Sequence, residues 1–326
     1  MSAGTTLIGL DEVLAAREAI GTRLHRTPMF SSRQLGERIG GNVHLKAELF
    51  QRTGSFKIRG VLAKLATLSA EEKARGVIGI SAGNHAQALA YGAALEGIPS
   101  LVVMWQSASA QKIAATREYG ATVDLTASDP GEAFERLDDL IEETGMVLVH
   151  PFDDPYVIAG QGTLGLEILE DVPDVDTILV AVGGGGLVAG VATAVKALRP
   201  EVRVIGVEPD RSAALHAGLA AGQWVRVRPD SIADGLSAPF AGEHCIAIAQ
   251  DKVDDVVLVT EEEIREGMRF LYQRSKLACE AAGAVPTAAL LAGTVELPRG
   301  STVVSIVSGG NVAPRTASGI LDPDET

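Results

Sequence analysis

The segment AVGGGGLVAG, residues 181–190, places four consecutive glycines between a strand pattern, TILVAVG (177–183), and a helical pattern over residues 187–198. A glycine turn at such a junction directs several backbone N–H groups at one anion, at the helix end where the dipole is positive. Four glycines carry a high entropic cost for a turn without a ligand. Residues 183–187 are therefore predicted to bind a phosphate group in an α/β fold.

The same segment also fits a dinucleotide-binding pattern. Gly184, Gly186 and Ala189 match G-x-G-x-x-A, and Glu208 ends a strand pattern a little over ~20 residues later, where a ribose-binding acid lies. Taken alone, the loop is compatible with a nicotinamide-dependent oxidoreductase. Other segments of the chain have to decide between the two cofactors.

Strand and helix patterns alternate along much of the chain. Strands are predicted for GVIGIS (76–81) and SLVVMW (100–105), and helices for residues 10–24, 84–95 and 161–170. Regular alternation of this kind indicates parallel strands connected by helices. At 326 residues, the chain is expected to form two domains or one large two-lobed unit.

Composition and charge exclude several classes of partner. The formal net charge of −14 opposes binding to nucleic acid or to an anionic membrane surface. The two cysteines, Cys245 and Cys279, lack metal-ligand spacing and suit a reducing compartment. The first 13 residues lack a basic region followed by an apolar stretch, and no apolar run approaches the length of a bilayer. These features predict a cytoplasmic protein.

Three further segments resolve the choice of cofactor: GSFKIRG (54–60), SAGNHAQALA (81–90) and SGGN (308–311). Together with the tetraglycine loop, in this order, they resemble the fold-type II pyridoxal-phosphate enzymes, specifically the serine/threonine dehydratase and serine racemase family. The resemblance extends from HRTP (25–28) to SGGN, which is nearly the whole chain. It implies pyridoxal 5'-phosphate as the cofactor and a small amino acid as the substrate.

The resemblance also implies an architecture. We expect a two-domain α/β fold similar to the tryptophan synthase β subunit, each domain having a mostly parallel sheet flanked by helices. Residues 1–68 and 150–326 would form the large cofactor-binding domain, and residues 69–149 a small domain that closes over the substrate. Members of this group resemble homodimers, and we expect the same here. The match ends about where the catalytic unit ends, so no regulatory domain is expected.

Lys57 is the residue that the resemblance assigns to the cofactor, as a Schiff base, and to removal of the substrate α-proton. A lysine amine is a nucleophile only when it is neutral, a state that burial favours. Phe56 would lie against the pyridine ring with Gly235 on the opposite side, and Asn84 would bind the ring hydroxyl oxygen. Ser308 would meet the ring nitrogen. The phosphate would be held by the backbone of Gly183, Gly184, Gly185, Gly186 and Leu187.

The substrate carboxylate is expected at the strand-to-helix junction around residue 83, where N–H groups and short polar side chains meet. The candidates there are Ser81, Ala82, Gly83, Asn84 and His85. Racemases of the family carry a serine where this chain has Ala82, and a methyl group cannot return a proton to the opposite face. Dehydration is therefore favoured over racemisation.

The predicted activity is an ammonia-lyase reaction that converts L-threonine or L-serine to a 2-oxo acid and ammonia. Alternatives are serine racemase and a dehydratase of another β-hydroxy amino acid, such as hydroxyaspartate, phenylserine or an ectoine-derived compound. A nicotinamide-dependent oxidoreductase is the alternative from a different class. Family members with a divalent cation use two acidic ligands. This chain has Glu208 at the first of these positions and Ala214 at the second. A single carboxylate is a weak site for a hard cation, so no metal is predicted.

Overall fold

The structure, a computed structural model, describes residues 8–322 of the chain. Residues 1–7 lie outside this range. They are part of the segment from which the absence of a secretion signal is predicted. Within it, no helix is long and apolar enough to cross a membrane. The elements below are numbered in chain order.

The strands of the described residues form two sheets. Their bounds are β1 (Met29–Ser31), β2 (Asn42–Ala47), β3 (Val77–Ile80), β4 (Ser100–Trp105), β5 (Thr122–Ala127), β6 (Val147–Leu148), β7 (Thr177–Ala181), β8 (Arg203–Pro209), β9 (Asp255–Val259) and β10 (Thr302–Val307).

The helices lie between and around these strands. Their bounds are α1 (Leu10–Ile20), α2 (Arg33–Ile39), α3 (Lys57–Ala66), α4 (Ala70–Arg75), α5 (Asn84–Leu95), α6 (Ala110–Glu118), α7 (Pro130–Thr144), α8 (Pro155–Asp171), α9 (Gly186–Leu198), α10 (Ala214–Ala221), α11 (Glu243–Lys252), α12 (Glu261–Phe270), α13 (Ala281–Ala292) and α14 (Pro314–Leu321).

Both sheets are mostly parallel, which confirms the predicted fold class. The larger sheet has the strand order β1-β2-β10-β7-β8-β9, and only β1 is antiparallel to its neighbour. The smaller sheet has the order β5-β4-β3-β6 and is parallel throughout. Every residue of β7 and β10 is buried, as expected when helices cover both faces of a parallel sheet.

The predicted helices agree with the structure except at their ends. The helix predicted over residues 84–95 has those bounds. The helix predicted over 10–24 ends at Ile20, because Gly21 adopts φ +56° and turns the chain. The helix predicted over 161–170 begins earlier, at Pro155, where the side chain of Asp154 accepts hydrogen bonds from two first-turn N–H groups.

This topology gathers several chain segments at the carboxyl ends of parallel strands. Strand β3 leads into residues 81–83, β7 into the glycine loop and β10 into Ser308. In open α/β sheets, ligands bind at these ends. The segments predicted to bind cofactor and substrate therefore lie at the edges of the two sheets where the carboxyl ends of the strands meet.

Candidate active site

A cavity of about 650 Å³ brings together many of the predicted site residues. It is lined by Lys57, the five residues 81–85, Gly184 and Gly235. A volume of this size is typical of small-molecule sites. Residues that the sequence analysis did not single out complete the wall: Ile80, Trp105, Gly131, Phe134, Pro151, Phe152, Arg226, Val227, Arg228, Pro229, Ser237, Ala238 and Pro239.

Lys57 occupies the first position of α3, so its backbone is fixed while its side chain reaches into the cavity. Its Nζ donates a 2.8 Å hydrogen bond to the carbonyl oxygen of Pro151 and lies 5.1 Å from the ring centroid of Phe56. Burial lowers the pKa of Lys57 to about 8, against smaller opposing effects of Cys245 and Glu280. A substantial fraction of the amine is therefore neutral near physiological pH.

The tetraglycine loop presents backbone alone, because side chains have no room there. A Cβ at Gly184 would overlap the Phe152 ring, and one at Gly183 would lie 2.9 Å from the backbone of Leu236. Gly185 adopts φ +98°, a conformation that favours glycine. Helix α9 begins at Gly186, and the first N–H groups of a helix have no partner within it. The loop can therefore offer N–H groups to an anion.

The segment His150 to Asp153 supports this loop, although the sequence analysis did not identify it. Phe152 packs against Gly184, and the carbonyl of Pro151 accepts the Lys57 hydrogen bond. Asp153 accepts hydrogen bonds of 2.9 and 3.0 Å from the first N–H groups of α11. The residue before α11, Gly242, donates to the carbonyl oxygen of Gly184 at 3.1 Å. One short segment thus positions the amine, the loop and a supporting helix.

The predicted carboxylate site lies at the start of α5. The side chain of Ser81 accepts a 3.1 Å hydrogen bond from the N–H of Gly83, which shapes the turn. Nε2 of His85 lies 2.8 Å from the carbonyl oxygen of Val149. Because a carbonyl only accepts, Nε2 carries the proton, and Nδ1 is a buried acceptor without a partner in the described structure. Burial, with a smaller effect of Lys57, lowers the pKa of His85 to about 3, so the ring is neutral.

Asn84 is held in place by hydrogen bonds to two side chains, Glu280 and Asn311. Its Nδ2 donates to Oε1 of Glu280 at 2.6 Å, and its Oδ1 accepts from Nδ2 of Asn311 at 2.8 Å. Glu280 is 3% exposed, and burial raises its pKa to about 7. Glu280 could not be identified from the sequence, because an isolated glutamate before a helix has no distinguishing pattern.

The other predicted cofactor residues do not line the cavity. Ser308 is buried, and its carbonyl oxygen accepts a 3.1 Å hydrogen bond from the N–H of Phe56. Strand β10 is thereby tied to the segment that carries Lys57. Phe56 directly precedes α3, and the remaining members of this set lie within the glycine loop and the first turn of α9: Gly183, Gly185, Gly186 and Leu187.

Glu208 is fully engaged elsewhere. Its two carboxylate oxygens accept 2.8 Å hydrogen bonds from the N–H groups of Leu215 and His216 at the start of α10. Glu208 is also fully buried, so its carboxylate is not accessible to a ribose. Among residues 8–322, no group of three or more His, Cys, Asp or Glu side chains is placed to hold a metal ion.

The site residues fit pyridoxal phosphate in three respects. The amine of Lys57 has a lowered pKa, and the glycine loop offers backbone N–H groups at positions where neighbouring residues leave no room for a Cβ. The hydroxyls of Ser55 and Thr53, close to Lys57 in the chain, are buried without hydrogen-bond partners in the described structure. Thr53 also adopts φ +61°, a strained conformation for threonine that is typical of functional sites.

An α/β fold with two mostly parallel sheets, in which a lysine amine of lowered pKa and a backbone anion cradle lie beside one cavity, is typical of an enzyme that binds a phosphorylated carbonyl cofactor. A family model described as pyridoxal-phosphate dependent enzyme matches residues 20–309. The chain belongs to this family and is a pyridoxal-phosphate-dependent enzyme. The nicotinamide alternative for the glycine loop is therefore rejected.

The similar proteins include threonine dehydratases and a serine racemase. The L-threonine ammonia-lyase of Thermotoga maritima is 44% identical over 94% of this chain and 76% of its own length. The catabolic L-threonine dehydratase of Escherichia coli strain K12 is 42% identical over 94% of this chain and 93% of its own. Among solved structures, maize serine racemase aligns with a TM-score of 0.91 at 37% identity, covering 95% of both chains.

Proposed function

We propose that this enzyme is a dehydratase that converts L-threonine, and L-serine, to a 2-oxo acid and ammonia. The observation that carries the proposal is the pairing of a partly neutral amine, Lys57, with an α5 N-terminus that can hold a carboxylate in the same cavity. The threonine dehydratases and ammonia-lyases that the chain resembles over nearly its full length support the same reaction.

The residues of the cavity and the glycine loop have separate roles in the proposed reaction. When bound, pyridoxal phosphate supplies an electrophilic carbon and an electron-withdrawing ring that stabilises negative charge at the substrate α-carbon. The N–H groups at the start of α5 and the hydroxyl of Ser81 bind the substrate carboxylate. Lys57, in its neutral form, removes the α-proton as general base. The glycine loop holds the phosphate through charge-assisted hydrogen bonds.

Ala82 is the residue that favours elimination. It lines the cavity beside Ser81, and its methyl group carries no transferable proton. Without a donor at this position, a deprotonated substrate either regains its proton from Lys57 or loses its β-hydroxyl as water, for which the proton carried by Lys57 is available. Only the second route gives net product.

A direct assay tests the proposal. Purified enzyme with L-threonine should form 2-oxobutanoate and ammonia in equal amounts, and L-serine should give pyruvate and ammonia. Lys57→Ala should abolish both reactions while circular dichroism shows an intact fold. Failure of the unmodified holoenzyme to form a 2-oxo acid from either amino acid would refute the proposed substrate class.

A second candidate substrate is a β-hydroxy amino acid with an additional carboxylate, such as hydroxyaspartate. Arg226 and Arg228 line the cavity, and neither takes part in an ion pair within residues 8–322. In the same range, no aspartate or glutamate lines the cavity. Two unpaired guanidinium groups are well suited to a second carboxylate.

Substrate competition distinguishes these candidates. If the arginines recognise a carboxylate, hydroxyaspartate should have a lower KM than L-threonine. The double variant Arg226→Ala, Arg228→Ala should then raise the KM for hydroxyaspartate and leave the KM for L-threonine unchanged. Equal KM changes for both substrates would show that the arginines do not select the side chain.

We also propose a division of the chain into a closing unit, residues 69–149, and a cofactor-binding remainder, residues 1–68 and 150–326. The smaller sheet lies wholly within the first range, and Lys112 of α6 pairs with Asp234, which precedes Gly235 in the cavity wall. A cytoplasmic location and a homodimeric assembly complete the proposal. Two free, buried cysteines support a reducing compartment.

A further inference from the structure

Glu280 is a buried acid that the proposed reaction does not use. Its Oε1 accepts the 2.6 Å hydrogen bond from Asn84, a residue of the cavity wall. A Cβ at Gly309 would overlap Oε1 of Glu280, and a Cβ at Gly235 would lie 3.6 Å from it. The carboxylate therefore lies directly behind the wall formed by Asn84 and Gly235, in space that a side chain at Gly309 would fill.

We propose that Glu280 is a positioning residue that, together with Asn311, fixes the side-chain amide of Asn84 so that Asn84 offers an N–H group to the cofactor. The orientation follows from the partners at the two ends of a hydrogen-bond chain. The carbonyl oxygen of Thr53 only accepts, so Asn311 must present Nδ2 to it, at 2.7 Å.

The rest of the chain is then determined. Nδ2 of Asn311 also donates to Oδ1 of Asn84, which turns Nδ2 of Asn84 towards Glu280. An ionised carboxylate only accepts, so it favours the same orientation. One N–H of Asn84 binds Glu280, and its second N–H remains for an acceptor in the cavity. Thr53, Asn311 and Glu280 thus select one of the two possible amide orientations.

The charge of Glu280 adds a pH dependence to this arrangement. Burial, with a smaller contribution from Asp234, raises the pKa of Glu280 to about 7 against the opposing effects of the Asn84 hydrogen bond and the charges of Lys112 and Lys57. The thiol of Cys279 is also close, and its own pKa is raised by burial and by Glu280. Protonation below neutral pH removes the negative charge that polarises the Asn84 N–H. The N–H then becomes a weaker donor to the cofactor.

Cofactor binding without substrate tests the proposal, so its outcome is independent of the proposed reaction. The variants are Glu280→Leu, which removes the acceptor, and Glu280→Gln, which keeps an acceptor oxygen without charge. The matched control is Glu208→Gln, because Glu208 is equally buried and burial raises its pKa to about 7, but it binds the start of α10. The readouts are the Kd for pyridoxal phosphate and the absorbance maximum of the bound cofactor.

We expect Glu280→Leu to raise the Kd at least tenfold and to shift the absorbance maximum. In Glu280→Gln, both the Kd and the absorbance maximum should lie close to the values of the unmodified enzyme. In the unmodified enzyme the Kd should rise as the pH falls through about 7. This rise in Kd should be smaller in Glu280→Gln than in Glu208→Gln. If Glu280→Leu does not fold by circular dichroism, Gly309→Ala replaces it, since its methyl group would displace the carboxylate. An unchanged Kd and spectrum in the folded variant, or an equal loss in Glu208→Gln, would overturn the proposal.

Discussion

Lys57 shows how a fold converts an ordinary side chain into a reactive one. The residue begins a buried helix, and its amine has a carbonyl oxygen and an aromatic ring as close neighbours but no carboxylate within ion-pair distance in the described structure. Burial therefore disfavours the charged amine, and its pKa is lowered to about 8. The neutral amine is the form that bonds to a carbonyl carbon.

This lowered pKa predicts the pH dependence of cofactor uptake. Since only the neutral amine reacts, the rate at which apoenzyme regains its bound-cofactor absorbance should rise with pH to a midpoint of about 8 and then level off. Rapid-mixing absorbance measurements between pH 6 and pH 10 would show this. A rate still rising steeply at the upper end of that range would indicate a lysine with the ordinary value of ~10.4.

Ala82 predicts the choice of reaction. Ala82→Ser restores a hydroxyl next to the start of α5, so the ratio of D-serine to pyruvate formed from L-serine should increase several-fold. Chiral chromatography of a timed reaction, run beside a 2-oxo acid assay, measures both products. Should the unmodified enzyme accumulate D-serine faster than pyruvate, some other residue must protonate that face.

At the scale of elements, the glycine loop depends on segments that are distant in the chain. The Phe152 ring fills the space in front of Gly184, and Cys245 of α11 lies 2.7 Å from the position of a Cβ at Gly185. The loop is thus held between the segment after β6 and helix α11. Its backbone conformation is set by packing as much as by its own composition.

This packing predicts that Gly184→Ala disrupts cofactor binding. The added methyl group overlaps Phe152, so the loop or the ring must move, and overpacking typically costs ~1–3 kcal/mol. We expect the Kd for pyridoxal phosphate to rise by about tenfold or more, equivalent to ~1.4 kcal/mol. Gly9→Ala is the matched control, because its Cβ would approach no atom closer than 3.4 Å. Equal Kd values for the two variants would contradict the account.

The sequence predicted elements better than their connections. The helix at Asn84 was predictable because its apolar repeat begins directly after a strand and a glycine. The early start of α8 was missed because the signal there is a cap, Asp154 followed by Pro155, that precedes the apolar pattern. Glu280 was missed because its role depends on Asn84 and Asn311, which are far from it in the chain.

At the scale of the whole molecule, strand order is the feature that local patterns leave open. Strand β10 comes last in the chain and inserts between β2 and β7 in the larger sheet. Nothing in the six residues of β10 specifies these neighbours, because parallel register depends on the helices that pack on both faces. The position of Ser308 beside Phe56 follows from this insertion.

Assembly is a second property at this scale. Phe30 on the edge strand β1 and Phe50 are 42% and 49% exposed and form an edge-to-face pair with ring centroids 6.4 Å apart. An exposed aromatic pair beside an unpaired strand edge suits contact with a second copy. Light scattering should give twice 33.9 kDa, and Phe30→Asp should shift the mass towards monomer. Leu198→Asp, an equally exposed site on α9, is the control, and a strict monomer in the unmodified protein would contradict the proposal.

Borohydride reduction followed by peptide mapping shows whether Lys57 holds pyridoxal phosphate in the cavity lined by residues 81–85 and Gly184. The purified protein should be yellow, lose its visible absorbance on reduction, and yield one peptide carrying the cofactor mass at Lys57. Lys57→Ala should yield no such peptide. A modification mapped to another lysine, or a colourless protein that acquires no absorbance with added cofactor, would contradict the account.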